Sequence, residues 1–306
     1  MNRWGLSFLI LLLAYSCTED SKRETPTEGE IRAAVDPAVM PIAKELTDAF
    51  NFRYPHGEVH LMESEESQAI NDLIDGKVNL IIIPGHLPAQ QTQALKTKKF
   101  NPKIQILAWD ALVVVVHPNN PDTLLSLEQL QALLSGKFTQ WNQVSAGNTS
   151  GKVQVILDKG GSSMSNYLRD SVLMGEAMHS GVRGAGSIPE LIDAVHQTPG
   201  AIGFTGLNWI SGTQDSLSKA RLASVAVAHI LNSEDSQYYL PFQSWIGVGK
   251  YPLKRPVNAI TLEHKTGLVA GFIAYCAGEK GQRIVLKSGL LPAFKPSRWV
   301  EMREQL

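Results

Sequence analysis

The segment DKGGSSMSNYLRD, residues 158–170, places two glycines and two serines between an apolar run, VQVIL, and a stretch with helical spacing. A strand is therefore predicted to enter a helix through this turn. The first turn of a helix has unpaired backbone N–H groups and a positive potential, which suit an anion, and glycine allows close approach. Ser162 or Ser163 could equally cap the helix through its hydroxyl. The residues alone leave both interpretations open.

A second turn of this kind lies in MESEES, residues 62–67, between a strand-like segment and the helical pattern QAINDLIDG. Ser64 and Ser67 place hydroxyls at this predicted helix start. Glu65 and Glu66 could act as a paired acid and base, or they could complement the positive end of the helix dipole.

The third turn is VDPAVMPI, where Asp36 is predicted to cap a helix that has Pro37 in its first position. If the three turns converge on one cleft, their N–H groups would form an anion site without a metal or a nucleophile. Each helix end contributes roughly 0.3–1 kcal/mol to holding an anion when exposed and up to about 2 kcal/mol when partly buried. Convergence is a hypothesis about the fold.

Other motifs with known chemistry are absent from the sequence. GNTSGK, residues 147–152, has three residues between its glycines and Val153 after the lysine, whereas a P-loop needs four and then Ser or Thr. No serine stands in a G-x-S-x-G elbow, and the eight histidines form no HExxH pattern. We therefore predict no metal, no cofactor and no enzymatic activity. A hydrolase that uses Ser163 with a distant histidine is the enzymatic alternative.

The N-terminus, MNRWGLSFLILLLAYSC, has one positive residue followed by an apolar run too short to span a bilayer, as in a signal peptide. Residues 1–17 are predicted to be a lipoprotein signal peptide ending at a lipidated Cys17, with an uncleaved membrane anchor as the alternative. Residues 18–30 are polar and charged, which predicts a flexible tether. Cys276 lies in an apolar helical stretch and is predicted to be buried and inert.

The net charge of −1, without a basic block, excludes an electrostatic footprint for nucleic acid. From Ile31 onward, apolar runs alternate with helix-period segments, so we predict an α/β fold with parallel sheets covered on both faces. The predicted strands include KIQILAW, ALVVVVH, SVAVAHI and SWIGVG, and one predicted helix covers residues 163–178. Ser126 with Gln129 forms a capping-box pattern, and Gly136 closes that helix.

Two segments are predicted to cross between lobes: AWDALVVVVHPNNP, and GVGKYPLKRPVNAIT with its two interrupting prolines. Lobe 1 would then comprise residues 31–112 plus 251–306, and lobe 2 residues 113–250. A ligand cleft between the lobes follows, because open α/β sheets bind at the carboxyl ends of their strands.

From Ile31 to about Arg298 the chain resembles the substrate-binding proteins of phosphate ABC importers, especially a lipoprotein branch. Seven segments in the same order carry the resemblance: AVDPAVMPI, SQAINDLIDGKVNLII, DALVVVVHPNNPDTLLSLEQLQALLSGKFTQW, DKGGSSMSNYLRDSVL, TPGAIGFTGLNWIS, GKYPLKRPVNAI and GEKGQRIVLKSGLLPA. It implies the two-lobed periplasmic binding protein fold of type II. In that family a basic residue precedes a Ser-Gly-Thr turn, whereas here Asp158 stands at the basic position and Met164 at the threonine.

The resemblance implies a membrane-anchored extracytoplasmic lipoprotein, in the periplasm or cell envelope, that binds phosphate or a related small oxyanion and delivers it to an ABC permease as a monomer. The alternative is a non-transport lipoprotein with a degenerate cleft that acts in signalling, adhesion or envelope assembly. Lys159 could replace the missing arginine, although only as a point charge. The predicted ligand-binding residues are Ala38, Val39, Ser64, Ser67, Lys159, Gly161, Ser162 and Ser163.

Overall fold

The computed structural model describes residues 25–159, 161–211 and 216–295. The predicted signal peptide, with Cys17, and residues 18–24 of the predicted tether lie outside the described residues. Within these ranges, no helix has both the length and the apolar character needed to cross a membrane.

Strands and helices alternate along most of the chain, as predicted. The strands are β1 (Gly29–Val35), β2 (Gly57–Glu63), β3 (Leu80–Pro84), β4 (Lys103–Val116), β5 (Leu124–Leu125), β6 (Gln154–Leu157), β7 (Arg183–Gly184), β8 (Ala201–Gly206), β9 (Ala226–Val227), β10 (His229–Asn232), β11 (Gln237–Tyr239), β12 (Lys254–Thr261) and β13 (Leu291–Pro292).

Ten α-helices accompany these strands within the described residues. They are α1 (Met40–Arg53), α2 (Glu66–Ile74), α3 (Ala89–Thr97), α4 (Leu127–Leu134), α5 (Ser163–Ser171), α6 (Ile188–Gln197), α7 (Ser216–Ser224), α8 (Gln243–Gly247), α9 (Leu268–Ala277) and α10 (Glu279–Lys287). The capping box predicted at α4 is confirmed: Ser126 accepts the N–H of Gln129 at 3.2 Å, and the Gln129 side chain accepts the N–H of Ser126 at 2.9 Å.

One long strand joins the two halves of the main sheet, whose order is β2-β1-β3-β12-β4-β8-β6-β7. Residues 103–111 of β4 pair antiparallel with β12, and residues 112–116 pair antiparallel with β8. The sequence predicts two strands here, but the chain continues straight across. Parallel strands flank this crossing on both sides, and their apolar side chains are buried. The predicted two-lobed α/β fold is confirmed, whereas the lobe boundaries stay a prediction.

Three predicted elements are wrong. SWIGVG is not a strand but lies largely in the short helix α8, because Gln243 is buried and its Nε2 donates to the carbonyls of Leu286 and Leu290 at 2.9 and 2.7 Å. The helix predicted over 163–178 ends at Ser171, three residues before Met174 adopts a left-handed φ of 53°. SVAVAHI is divided between the end of α7 and the short strands β9 and β10.

The predicted tether is also too long. Thr25 and Glu28 form a bridge, and β1 begins at Gly29, so the fold starts before Ile31. The carbonyl of Pro26 lies against α9, where a Cβ at Gly271 would be 1.8 Å from the carbonyl oxygen. The absence of a side chain on Gly271 lets this polar segment pack on the helix.

We expect Gly271→Ala to lower the free energy of unfolding by about 1–3 kcal/mol, because the added Cβ displaces the Pro26 carbonyl. This loss would outweigh the gain in helix propensity of about 1 kcal/mol. Denaturant unfolding monitored by circular dichroism measures it. Gly147→Ala is the matched control, since a Cβ there meets nothing within 4 Å. A stabilised Gly271→Ala variant would show that the segment at Pro26 does not pack as described.

Candidate functional site

The turn that opens α5 is held by its own side chains. Ser162 caps the helix, since its hydroxyl oxygen accepts the N–H of Ser165 at 3.1 Å. The same hydroxyl donates to Oδ1 of Asp158 at 2.5 Å. Gly161 has a φ of +82°, which glycine adopts readily. The prediction that Ser162 caps the helix is therefore confirmed. The Ser162 hydroxyl also donates its proton to the carboxylate of Asp158.

The structure brings the three predicted turns together across the cleft. Ser163 Oγ, on α5, donates to Oδ1 of Asp36, which follows β1, at 2.9 Å. Nδ2 of Asn166, one turn further along α5, donates to Oε2 of Glu66 in the first turn of α2 at 3.1 Å. The two lobes thus touch through hydrogen bonds between their helix starts.

The carboxylate of Asp36 occupies the place that was predicted for an anion. Its Oδ1 accepts the N–H of Ala38 at 2.9 Å in addition to the hydroxyl of Ser163, and its backbone carbonyl accepts the N–H of Val39 at 3.0 Å. Ala38 and Val39 are both buried. The predicted ligand donors of the first turn are therefore taken by Asp36, because its short side chain folds back onto its own backbone.

The other predicted site residues are not all brought to the cleft. Ser67 is exposed on α2, because successive helix residues point in different directions and its neighbour Glu66 faces α5. Lys159 is exposed, and its Nζ lies 3.9 Å from Oε1 of Glu65. Ser64 Oγ is buried and has no hydrogen-bond partner within the described ranges.

Two side chains that follow β8 complete the contact between the lobes. Nδ2 of Asn208 donates to the carbonyl of Ala38 at 2.9 Å, and Nε1 of Trp209 donates to the carbonyl of Pro37 at 3.1 Å. Both residues lie within the segment TPGAIGFTGLNWIS, whose local pattern indicates no role for their side chains. These two hydrogen bonds connect lobe 2 to the backbone of the turn at Pro37 and Ala38.

Arg255, at the start of β12, is the cation that sequence reasoning missed. Its side chain is 1% exposed, and its Nε donates to Oδ2 of Asp110 at 3.1 Å. Asp110 Oδ1 accepts the N–H of Leu207 at 3.0 Å. Nη1 of Arg255 has no hydrogen-bond partner among the residues that the structure describes. The signal in the sequence is a lone arginine inside an apolar strand-like segment, KRPVNAIT.

A cavity of about 440 Å³ lies beside the contact between the lobes. Ser163, Asn166 and Tyr167 on α5 line one side, and Glu66 and Arg255 lie on the other elements around it. Among the described residues, no group of three or more His, Cys, Asp or Glu side chains could hold a metal ion. The polar groups of the cavity suit a small charged ligand.

Burial raises the pKa of three carboxyls at this contact. It raises the pKa of Asp36 from 3.8 to about 7, against the lowering effects of the Ala38 N–H, Ser163 and Arg255. It raises the pKa of Asp158 to about 6, against the hydrogen bond from Ser162. Burial likewise raises the pKa of Glu66, opposed by Asn166. The carboxyls of Asp36 and Asp158 therefore titrate closer to neutral pH than ordinary carboxyls do.

We expect Asp36→Asn to flatten the pH dependence of stability. The pKa of Asp36 is about 7 in the fold and about 3.9 in an unfolded chain, so the native state holds a proton that the unfolded state lacks between these values. The free energy of unfolding therefore falls as pH rises from about 4 to about 7, by about 4 kcal/mol at most from this group. The asparagine retains an acceptor for Ala38 and Ser163 but does not titrate.

Denaturant unfolding at several pH values between 4 and 8 measures this slope. Asp48→Asn is the control, because the Asp48 side chain is 65% exposed on α1. An unchanged slope in the Asp36→Asn variant would contradict the raised pKa.

Known proteins of similar sequence were found over most of the chain. The model of the PBP superfamily domain matches residues 20–280. The phosphate-binding protein PstS of Borreliella burgdorferi is 24% identical over 292 residues, which cover 92% of this chain and 96% of that protein. PstS of Pseudomonas aeruginosa is 23% identical over 254 residues, which cover 78% of this chain and 75% of that protein. The resemblance predicted from the seven segments is confirmed.

Solved structures agree on the fold. A candidate phosphate ABC transporter substrate-binding protein from Clostridium perfringens, solved with bound phosphate, has a TM-score of 0.73 and 20% identity, covering 87% of this chain and 100% of that one. An ABC-type phosphate transport receptor from Vibrio cholerae has a TM-score of 0.66 and 22% identity, covering 85% and 99%. With a family model matched over residues 20–280 and the same two-lobed architecture, the chain belongs to the PBP superfamily.

Proposed function

We propose that this chain is a lipid-anchored, extracytoplasmic solute-binding protein that captures phosphate or a related small oxyanion for an ABC importer. The observation that carries the proposal is the cavity between the lobes, where the buried guanidinium of Arg255 and the start of α5 face the same space. The relatives named as phosphate-binding proteins support the choice of ligand.

The donors for an oxyanion would come from both lobes. Arg255 offers the N–H of its unpaired Nη1, and Ser163 and Asn166 offer a hydroxyl and an amide that now donate to carboxyls. Hydrogen bonds to a charged ligand each contribute roughly 1.5–3 kcal/mol. If a ligand replaced the Asp36 carboxylate as the acceptor for Ser163, its hydrogen bond would offset the free energy of the internal hydrogen bond that is lost.

A charged Asp36 carboxylate would repel an anion bound at Ser163, and the raised pKa of Asp36 reduces this repulsion. A neutral carboxylic acid does not repel the ligand, and its O–H can donate to an oxyanion oxygen. Asn208 and Trp209 already hold the two lobes together at the first turn. A bound ligand would stabilise this closed arrangement, which a permease can recognise.

Calorimetry on the purified chain from residue 18 onward tests the proposal. We expect heat of binding with phosphate, sulfate or methylphosphonate, and a loss of roughly 10-fold to 100-fold in affinity for Ser163→Ala, because one hydrogen bond to a charged ligand is removed. Ser233→Ala, at an exposed position between β10 and β11, is the control. The proposal fails if none of the three anions binds at millimolar concentration.

Lipid anchoring has its own test. We expect the full-length protein, expressed in a bacterium, to enter the detergent phase of a cloud-point extraction and to incorporate labelled fatty acid. The Cys17→Ser variant should do neither, because the thiol that accepts the lipid is gone. Cys276→Ser is the control, since Cys276 is buried in α9. A Cys17→Ser protein that still carries the label would exclude the predicted anchor.

A second candidate function is a non-transport lipoprotein with a closed, degenerate cleft. The observation that favours it is the Asp36 carboxylate, which accepts both the Ala38 N–H and the Ser163 hydroxyl. If the cleft as a whole no longer serves a ligand, neither the wild type nor Asp36→Ser should bind an oxyanion. Binding that appears only in Asp36→Ser would identify a site closed by that one side chain.

A further inference from the structure

The cavity between the lobes is longer than a single tetrahedral oxyanion. Five side chains of α5 line it at positions i, i+3, i+4, i+7 and i+8, which is one face of the helix. From the first to the last of them the helix rises about 12 Å. A volume of about 440 Å³ falls within the range of roughly 300–1,000 Å³ that is typical of pockets for organic molecules. The cavity therefore has room for an organic extension on the oxyanion.

One part of the cavity is suited to the oxyanion. The Arg255 side chain is 99% buried, lines the cavity, and leaves Nη1 without a hydrogen-bond partner in the described part of the chain. Ser163 lies at the first residue of α5, where the helix dipole is positive. The guanidinium charge is paired with Asp110, but a buried N–H group without an acceptor is costly unless a ligand supplies one.

A neighbouring part of the cavity is acidic. Glu66, from α2, is 4% exposed and lines the cavity, and Asp170, from α5 in the other lobe, lines it as well. The two carboxylates are close enough that Asp170 contributes to the raised pKa of Glu66. Oδ1 of Asp170 already accepts from Nε of Arg169 at 2.8 Å, whereas Glu66 accepts the neutral amide of Asn166. A ligand cation would therefore pair with Glu66.

The charges of the cavity wall balance one another. Lys254 and Arg255 oppose Glu66 and Asp170, so the lining presents no excess of positive charge to a divalent anion. The amide of Asn166, which holds Glu66, lies three residues from Ser163 along α5, a rise of about 4.5 Å. A short linker between an oxyanion and an amine matches this spacing.

We infer that the ligand is a small organic zwitterion, an aminoalkyl phosphonate or phosphate ester, with its oxyanion at Arg255 and Ser163 and its ammonium at Glu66. This inference rests on the proposed function, since it names the ligand class of the same cleft. It accounts together for the length of the cavity, for the neighbouring carboxylates of Glu66 and Asp170, and for the Nη1 of Arg255 that lacks an acceptor among the described residues.

Titration calorimetry at pH 7 with three probes tests it: 2-aminoethylphosphonate, ethylphosphonate and inorganic phosphate. We expect 2-aminoethylphosphonate to bind at least tenfold more tightly than the other two. In Glu66→Gln this preference over ethylphosphonate should fall below threefold, because the ammonium loses its counter-charge. Circular dichroism shows whether the variant is folded. Glu176→Gln, at an exposed loop position, is the matched control.

A second measurement needs no variant. N-acetylation of 2-aminoethylphosphonate removes the charge of the amine, and we expect it to weaken binding at least tenfold. If inorganic phosphate or ethylphosphonate binds as tightly as 2-aminoethylphosphonate, the inference is overturned and the proposed oxyanion function stands. If none of the probes binds, both are overturned. A preference for the amine that survives in Glu66→Gln would overturn the assignment of Glu66.

Discussion

Asp110 and Arg255 form a buried ion pair between two adjacent antiparallel strands, and the elements of both lobes are arranged around it. The pair lies at matched positions of β4 and β12, two residues before β4 changes its partner from β12 to β8. Asp110 also accepts the N–H of Leu207 at the end of β8. Burying both charges costs several kcal/mol, and removal of one partner would leave the other uncompensated. The three strands are thereby held in one register where the lobes meet.

Close approach of the backbones at this point depends on a glycine. A Cβ at Gly206 would lie 2.9 Å from the carbonyl oxygen of Ala38 and 3.0 Å from Oδ2 of Asp110. Without a side chain there, the first turn of lobe 1 reaches the end of β8, where Asn208 donates to it. The geometry of the cleft therefore follows from the central crossing, and the internal hydrogen bonds of Asp36 and Glu66 follow from the cleft.

The sequence predicted much of this architecture because its signals are local. Apolar runs that end in Gly, Ser and Asp marked the strand-to-helix turns, and the helix start at Ser162 and Ser163 lies where it was predicted. The role of Arg255 was not predictable from local patterns, because it depends on the antiparallel pairing of β12 with a strand about 145 residues earlier. SWIGVG was misassigned for a similar reason, since the distant carbonyls that bind Gln243 are absent from any local pattern.

The source of positive charge also differs from what the sequence indicated. Lys159 has a side chain that is 61% exposed, and its contact with Glu65 at 3.9 Å is of the kind that contributes about 0–1 kcal/mol. Burial raises the pKa values of Asp36, Glu66 and Asp158, and the charge of Arg255, which is buried at the crossing, opposes this rise in all three. Arg255 lies on β12, beside the strand β4 that both lobes share, whereas Lys159 lies in the turn before α5 of lobe 2. A ligand that pairs with Arg255 would consequently alter the Asp110–Arg255 ion pair between the crossing strands. The charge of the ligand would thereby affect the relative position of the lobes.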